Sequence, residues 1–249
     1  MVIKFKKIIS RLGRLSDFIS PLARGKVAQS GVATRIKHSN LEDLIESHFL
    51  NYSEINHPCI STLSLALKLL NQKTAVIVET GSSAWGSNST LLFDSYCNSF
   101  GGSLDTVDIR LQPLLNLKFS ATNKTKLNCD DSINFLTKYY QTKKIDLLYL
   151  DSWDVDWYNP IQTSIHGLNE FLSISKSLKD GTIVLIDDTP VDPLIMEKVQ
   201  PRFVPEFIKF KEDYGFYPGK GALVKQLILS SSKHNIISHE YQLLFSIKW

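Results

Sequence analysis

The sequence predicts an α/β protein built on a doubly wound, mostly parallel sheet, and three observations support this prediction. Short runs of β-branched and other apolar residues recur between residues 74 and 186, and stretches with helical periodicity separate them. These runs are apolar at consecutive positions, which is typical of strands covered on both faces. Two strand-like runs near the end of the chain have only a short polar stretch between them, which indicates an antiparallel hairpin.

The pattern assigns a range to each element. Strands are expected at residues 74–78, 103–109, 126–129, 145–150 and 182–186. Helices are expected at residues 41–50, 60–71, 88–100, 111–119, 131–142 and 162–178. The C-terminal hairpin is expected from residues 222–229 and 241–249, which gives a seven-stranded sheet. Right-handed crossovers should join the parallel strands and place helices on both faces.

Composition excludes several classes of protein. The chain has 249 residues, of which 43% are hydrophobic and 21% charged, as in an ordinary soluble domain and unlike disordered or collagen-like chains. No apolar run approaches the ~20 residues that span a bilayer. The three cysteines, Cys59, Cys97 and Cys129, lie far apart, which argues against a disulfide framework or zinc site and favours a reducing, cytoplasmic compartment.

The N-terminal segment differs from the rest of the chain in charge. Residues 1–26 hold seven basic residues and one acidic residue, whereas the remainder holds 21 basic and 24 acidic residues. The mildly acidic body argues against nucleic-acid binding. Residues 1–19 form a basic amphipathic pattern, which fits either a helix docked on its own domain or a partner subunit, or peripheral contact with an anionic membrane. We therefore expect an extension and linker at 1–40 and one catalytic domain at 41–249.

Polar and acidic residues follow each of the five predicted parallel strands. They are Glu79, Gly81 and Ser83 after the first strand, Asp108 after the second, Asp131 and Ser132 after the third, Asp151 after the fourth, and Asp187 and Asp188 after the fifth. Taken singly, each residue can be explained by a purely structural role, such as a helix N-cap for Asp108 or Asp131. Ligands of open α/β sheets bind at the carboxyl ends of the strands, so five such strand ends together predict a single binding crevice.

These motifs resemble those of the class I S-adenosylmethionine (SAM)-dependent methyltransferases over residues 74–249. ETGSS at 79–83 is similar to the family's first motif, VDI at 107–109 to its ribose-binding segment, and the terminal hairpin to its last two strands. The resemblance implies a Rossmann-like fold and SAM as cofactor. It also implies a set of cofactor-binding residues, namely Glu79, Gly81, Ser83, Asp108, Asp131 and Ser132. Ser83 departs from the family, because many members have glycine there.

The acids after the fourth and fifth strands resemble those of one branch of the class, the metal-dependent O-methyltransferases that modify sugars. In that branch, residues matching Asp151, Asp187 and Asp188 hold Mg²⁺. Carboxylate oxygens suit this hard cation, which lowers the pKa of a bound hydroxyl. The implied activity is transfer of a methyl group to an oxygen of a carbohydrate or glycosylated small molecule.

The general base is less well defined by the sequence. Asp151 is the first candidate and His166 the second, with His57, Asp154 and Asp156 nearby in the expected loops. The aromatic loop residues either stack on ligand or pack the loops; they are Trp85, Trp153, Trp157 and Tyr158. The proline- and aromatic-rich stretch 189–220 is a candidate substrate lid. Gly219-Lys220-Gly221 lacks the context of a phosphate-binding loop.

Two other interpretations stay open. The first is a cephalosporin-hydroxylase-like enzyme on the same fold, since its acidic pattern is similar. The second is a non-catalytic module that keeps the cofactor pocket. NAD-dependent dehydrogenases share the acid after the second strand, but the terminal hairpin favours a methyltransferase over them. A homo-oligomer is compatible with all of them.

Overall fold

The computed structural model describes residues 25–27, 36–54, 56–83, 86–139, 144–231 and 234–248. Its strands are β1 (Gly25–Val27), β2 (Ala75–Thr80), β3 (Gly102–Asp108), β4 (Thr125–Cys129), β5 (Leu147–Leu150), β6 (Ile183–Ile186), β7 (Asn235–His239) and β8 (Leu243–Ser246). They form one sheet in the order β1-β4-β3-β2-β5-β6-β8-β7. Strands β2 to β6 are mutually parallel, and β8 and β7 continue the sheet antiparallel to β6. The predicted doubly wound, mostly parallel fold with a C-terminal antiparallel hairpin is therefore confirmed.

Helices cover both faces of this sheet. They are α1 (Leu41–Asn51), α2 (Ile60–Leu69), α3 (Ser89–Phe100), α4 (Leu111–Leu117), α5 (Ser132–Lys138), α6 (Ile161–Ser175), α7 (Pro193–Val199), α8 (Val204–Tyr214) and α9 (Ala222–Ser230), with a 3-10 turn at Pro201–Phe203. Helices α1, α2 and α3 pack on one face, and α5, α6 and α9 pack on the other. Helices α7 and α8 belong to a separate apolar cluster around Trp157.

The two-sided cover explains why the central strands are apolar at consecutive positions. In β2, Ile77 belongs to the core under α1–α3, whereas its neighbour Val78 belongs to the core under α5, α6 and α9. The same division separates Leu147 from Leu148 in β5. Side chains of a strand alternate between faces, so burial on both faces requires apolar residues without interruption.

The expectation that residues 222–229 form a strand is wrong. They lie in α9, where Val224 and Ile228, one helical turn apart, are buried while Gln226 is exposed. A strand would place all three on the same face, so the burial pattern has the helical period. The hairpin is formed instead by β7 and β8, with no helix between them.

Two further parts of the chain contain secondary structure that was not expected from the sequence. Strand β1 lies within the predicted linker and pairs antiparallel with β4, which makes the sheet eight-stranded rather than seven-stranded. The stretch 189–220, the candidate substrate lid, contains α7, the 3-10 turn and α8. The amphipathic segment 1–19 lies outside the described residues. In the described part of the chain, we find no helix with the length and apolar character needed to cross a bilayer.

Candidate active site

The carboxyl ends of β2 to β6 open onto two adjoining cavities. The smaller, of about 570 Å³, is lined by Gly81, Asp108, Asp131 and Asp151 among others. The larger, of about 1090 Å³, also reaches Gly81 and Asp151 and extends to Asp187 and Asp188. The acids predicted from the strand ends therefore lie along one rim, as expected for a doubly wound sheet. The two cavities meet at Gly81 and Asp151, so ligands in them would approach each other there.

Gly81 occupies a position that excludes other residues. Its φ angle is +80°, and a β-carbon placed on it would lie 2.3 Å from the backbone carbonyl oxygen of Asp151. Its backbone N–H donates to the carbonyl oxygen of Val107 at 2.8 Å. Glycine is required both for the left-handed backbone and for the close approach of β5. The turn after β2 is thereby packed directly against the acid after β5.

Glu79 lies behind the turn rather than in either cavity. Its carboxylate is fully buried and accepts hydrogen bonds from the hydroxyls of Ser89 and Thr90, both at 2.6 Å, and of Thr106 at 2.7 Å. Burial raises its pKa to about 7, although the three hydroxyl donors act in the opposite direction. The structure therefore gives Glu79 the role of joining β2, β3 and α3 beneath the predicted cofactor turn.

Glu79 should make stability depend on pH. Its pKa rises from 4.5 to about 7 on folding, so the folded state holds a proton that the unfolded state releases between these values. Stability should fall as pH rises through this window, by about 3 kcal/mol at ~1.4 kcal/mol per unit. We expect urea titrations at pH 4.5 and 8 to show a loss of stability that is about 3 kcal/mol smaller in Glu79→Gln than in the wild type, because the raised pKa values of Asp151 and Asp188 act in both proteins.

Glu170 should affect stability in the opposite direction, at lower pH. It is buried, which opposes ionisation, but hydrogen bonding and charge from His166 lower its pKa below 4.5. Its contribution is therefore present above pH 4.5 and lost as pH falls, the opposite sign to that of Glu79. The same pH slope between 4.5 and 8 in Glu79→Gln and in the wild type would contradict the assignment.

Ser83 and Ser82 position the backbone of the turn in different ways. Ser83 has a φ angle of +56°, its N–H donates to Thr90 Oγ1 at 2.8 Å, and it lines the larger cavity. Ser82 donates its N–H to Asp108 Oδ2 at 3.2 Å, and its hydroxyl pairs with Thr106 Oγ1 at 2.7 Å. The left-handed backbone at Ser83 is the conformation in which glycine is favoured. The structure thus gives a physical reason for the glycine common at this position in the resembled family.

Ser83→Gly is expected to stabilise the chain. Relief of the left-handed conformation should increase the free energy of unfolding by up to about 1 kcal/mol. Ser82→Gly is the control, because it removes a buried hydroxyl contact and should cost about 1 kcal/mol. Urea denaturation of both variants tests this pair, and equal destabilisation by both would refute the conformational explanation.

Asp108 receives donors from two directions. Its carboxylate accepts the N–H of Ser82, the N–H of Arg110 at 2.7 Å, and two guanidinium N–H groups of Arg110 at 3.1 Å. Asp108 is 5% exposed, whereas the side chain of Arg110 is half exposed and lines both cavities. Arg110 was not singled out from the sequence, because an arginine after a strand has no distinctive pattern of its own. It forms an ion pair with Asp108 and adds donors to the smaller cavity.

The far wall of the smaller cavity is a hydrogen-bonded network around His166. His166 Nε2 lies 2.8 Å from Ser152 Oγ and 3.3 Å from Ser132 Oγ, and Ser152 also donates to Glu170 at 2.7 Å. Trp153 packs on the His166 ring with the centroids 4.9 Å apart. His166 does not line the larger cavity, where Asp187 and Asp188 lie. This placement favours a role for His166 in positioning a ligand of the smaller cavity.

Asp131 combines the two explanations that the sequence left open. Its side chain accepts the N–H of Asn134 at 2.9 Å and so caps α5. It also lines the smaller cavity beside Ser132. A capping carboxylate at a cavity wall can still accept a hydrogen bond from a ligand, since each oxygen has two lone pairs.

Asp151, Asp187 and Asp188 form a cluster with one oxygen of each within 4.8 Å of the others. Asp188 has a φ angle of +42°, a left-handed conformation for a residue with a side chain. Consecutive residues of a strand point to opposite faces, so this departure from extended backbone allows both Asp187 and Asp188 to join the cluster. Strain of this kind is often found at functional sites. We name these three residues the acidic trio.

A lysine that the sequence did not identify lies against the acidic trio. Lys220 is 4% exposed, and its Nζ forms ion pairs with Asp151 Oδ1 and, at 2.9 Å, with Asp188 Oδ2. Tyr241 donates its hydroxyl to Asp188 at 2.5 Å. Asp187 accepts hydrogen bonds from Gln242 at 2.8 Å and from the thiol of Cys59 at 3.3 Å. No local motif marks Lys220, because its partners lie 69 and 32 positions away in the sequence.

The electrostatics of the acidic trio are uneven. Burial, together with the charge of Asp187, raises the pKa of Asp151, and burial also raises the pKa of Asp188. Burial opposes ionisation of Asp187 too, but the Lys220 charge and the Gln242 hydrogen bond outweigh it, so the pKa of Asp187 is lowered. Lys220 stays protonated, because attraction to the trio outweighs its burial and raises its pKa. Asp151 is therefore the carboxylate of the site best suited to take up a proton.

The donor set fits the divalent cation implied by the resemblance. Three carboxylates from two strand ends give only oxygen ligands, which Mg²⁺ prefers, and the larger cavity leaves room for ligands from an acceptor. A bound cation would lower the pKa of an acceptor hydroxyl. The ammonium group of Lys220 is already at these oxygens, however, so a metal could be held only after Lys220 had moved.

The remaining candidates from the sequence are spread around the rim. His57 lines the larger cavity, close to Gly86, and Asp154 lines both cavities. Asp156 accepts the N–H of Tyr158 at 3.1 Å and lines neither. Trp157 is buried in the apolar cluster of α7 and α8 and borders the larger cavity, whereas Tyr158 is exposed. Trp85 lies outside the described residues.

Comparison with known proteins supports the assignment of the fold. The MycE methyltransferase of the mycinamycin biosynthetic pathway, solved with Mg and S-adenosylhomocysteine (SAH), aligns with a TM-score of 0.54 and 15% identity, over 86% of this chain and 55% of MycE. MycE solved with Mg, SAH and mycinamycin VI gives 0.53 and 15%, over 85% and 55%. The O-methyltransferase from Bacillus cereus in complex with SAH aligns over 97% of this chain and 100% of that enzyme, with 12% identity and a TM-score of 0.48.

The likeness to MycE defines the class of fold and no more. At 15% identity the match to MycE shows that the chain has the Rossmann-like fold of the SAM-dependent methyltransferases. No model of a protein family matches the sequence, and no curated protein is similar enough to count as a relative.

Proposed function

We propose that the chain is a SAM-dependent methyltransferase that methylates a hydroxyl oxygen of a carbohydrate or glycosylated small molecule. One observation carries this proposal, namely the meeting of the two cavities at Gly81 and Asp151. The smaller cavity offers Asp108, Asp131 and Ser132 to an adenosyl group, and its volume lies within the ~300–1,000 Å³ usual for small-molecule sites. The larger cavity, with the acidic trio at its base, would hold the acceptor.

The chemistry that this arrangement supports is an in-line displacement. The acceptor oxygen attacks the methyl carbon, the carbon–sulfur bond breaks, and its electron pair stays on sulfur as SAH is formed. The hydroxyl proton passes to Asp151, whose carboxylate lies where the two cavities meet. Alignment of the two reactants contributes most of the acceleration, since the methyl donor is already activated. Mg²⁺ held by the acidic trio is part of this proposal and would assist deprotonation of the acceptor.

The carbohydrate acceptor is supported by the polar base and aromatic border of the larger cavity and by likeness to MycE. The structure of MycE has been solved in complex with Mg, SAH and mycinamycin VI. Trp157 borders the larger cavity, and aromatic rings of this kind pack well on sugar rings.

A panel of acceptors tests the proposed function. The chain is incubated with SAM carrying a tritiated methyl group and with methyl glycosides, a glycosylated macrolide, catechol or no acceptor. We expect radioactive product, with stoichiometric SAH, from at least one glycoside or the macrolide. Transfer to catechol alone would reject the carbohydrate class. SAH binding without transfer to any acceptor would favour the non-catalytic module, and oxidised product formed with an added oxidant would favour the hydroxylase alternative.

A further inference from the structure

Lys220 is placed where a catalytic cation would be expected. Its Nζ pairs with one acid from each of the two strand ends, Asp151 and Asp188. Only 5% of its side chain is exposed, so the ammonium depends on these carboxylates rather than on water. The charge of Asp187 also stabilises it. The cluster thus already contains a cation supplied by the chain itself.

The backbone around Lys220 is built to hold it there. The Lys220 N–H donates to the carbonyl oxygen of Asp188 at 3.0 Å, and the Gly221 N–H donates to Thr189 Oγ1 at 2.9 Å. On the other side, Ser164 donates its hydroxyl to the carbonyl oxygen of Gly219 at 2.8 Å. These contacts tie the lysine to the end of β6 and to α6. The fold therefore fixes the position of Lys220 against the acidic trio, unlike that of a lysine on the surface.

Glycines make this approach possible. A β-carbon on Gly167 of α6 would lie 2.2 Å from the carbonyl oxygen of Lys220, and one on Gly219 would lie 2.5 Å from that of Asp188. The backbone at Lys220 therefore packs closely between α6 and the loop after β6 that carries Asp188. Release of the acidic trio therefore needs only a change in the conformation of the Lys220 side chain.

A divalent cation would need the same oxygens. Mg²⁺ or Ca²⁺ binds carboxylate oxygens at ~2.0–2.6 Å, and the Lys220 ammonium already lies 2.9 Å from Asp188 Oδ2. Two cations at these distances would overlap or repel strongly in a buried site. Binding of one therefore requires the other to leave.

We propose that the Lys220 ammonium and a divalent cation are alternative occupants of the acidic trio, so that Lys220 sets the metal affinity of the site. This inference rests on the proposed function in one respect, namely that a divalent metal binds to the acidic trio. Without metal, Lys220 supplies the positive charge beside the acceptor. With metal, the side chain must swing out, and the cost of displacing it weakens metal binding.

Calorimetric titration with Mn²⁺ tests this competition on the full chain, without SAM or acceptor. We expect Lys220→Met to bind Mn²⁺ at least about tenfold more tightly than the wild type, because the competing charge is gone. Lys225→Met is the matched control, since Lys225 is half-buried on α9 and lines neither cavity, and its Mn²⁺ affinity should equal that of the wild type. Mn²⁺ should also raise the melting temperature of Lys220→Met more than that of the wild type.

Equal or weaker Mn²⁺ binding by Lys220→Met, or no binding by any variant, would overturn the proposal. Lys220→Gln serves if the methionine variant does not fold, because its amide still donates to Asp151 without carrying a charge, and the same increase is expected. The readout is metal affinity, so it is independent of methyl transfer. Failure of the acceptor panel with tighter Mn²⁺ binding in Lys220→Met would reject the proposed function alone.

Discussion

Asp187→Asn is expected to reduce the rate of methyl transfer by about 10²–10³-fold, the usual effect of removing one charge-stabilising group from a catalytic site. Asp187 lines the larger cavity only, so the affinity for SAH should stay within about threefold of the wild type. The loss is expected whether Lys220 or a metal occupies the acidic trio, since the charge of Asp187 stabilises the Lys220 ammonium and its carboxylate is one of the three expected metal ligands. Initial rates of SAH formation with the most active acceptor of the panel measure the first effect, and calorimetry measures the second.

A nearby aspartate controls for the loss of a charge in this loop. Asp192 caps α7 by accepting the N–H of Ile195 and lines neither cavity. Asparagine caps helices as well as aspartate does, so Asp192→Asn should keep the activity of the wild type. Activity of Asp187→Asn above a tenth of the wild-type rate would contradict a role for the acidic trio in catalysis. A large loss of SAH affinity in the same variant would contradict the division of the two cavities.

Asp108→Asn is expected to weaken SAH binding by about 10–100-fold, which corresponds to ~1.5–3 kcal/mol for hydrogen bonds to a charged group. The carboxylate lines the smaller cavity, and it can accept both hydroxyls of a ribose once the half-exposed guanidinium of Arg110 gives up its two hydrogen bonds. Asparagine keeps the shape and one acceptor oxygen but replaces the other by a donor. Calorimetric titration of SAH into both proteins measures the difference.

Asp130→Asn is the matched control for Asp108→Asn. Asp130 follows the neighbouring strand β4, pairs with Lys138 at 3.9 Å and does not line the smaller cavity. Its substitution should leave SAH affinity unchanged. If Asp108→Asn bound SAH as tightly as the wild type, the ribose site would have to be placed elsewhere on the rim.

The parallel core could be predicted from the sequence because its signal is local. Residues such as Ile77 and Val78 are apolar at consecutive positions, as expected for a strand that is buried on both faces. The same reasoning failed at residues 222–229, where a short apolar run fits a buried helix as well as a strand. Helix α9 is set by packing on α6, and that contact is not visible in nine residues of sequence.

The part of the candidate site that follows the ends of the parallel strands could be predicted from the sequence. Asp108, Asp131, Asp151 and Asp187 were placed by topology alone, since parallel strands bring their carboxyl ends to one edge. Lys220 could not be found in this way. It reaches the acidic trio through contacts with α6 and the loop after β6, and neither contact leaves a pattern in the sequence around it. Glu79 differs in the opposite way. The motif predicted that it binds the cofactor, but it is buried beneath the turn and lines neither cavity.

Calorimetric titration of the wild-type chain with SAM, SAH and NAD⁺ tests most directly whether the rim holds an adenosyl sulfonium cofactor. We expect SAM and SAH to bind with one-to-one stoichiometry and NAD⁺ to give no saturable heat. Saturable binding of NAD⁺, with none of SAM or SAH, would contradict the assignment of the smaller cavity and the methyltransferase function that depends on it.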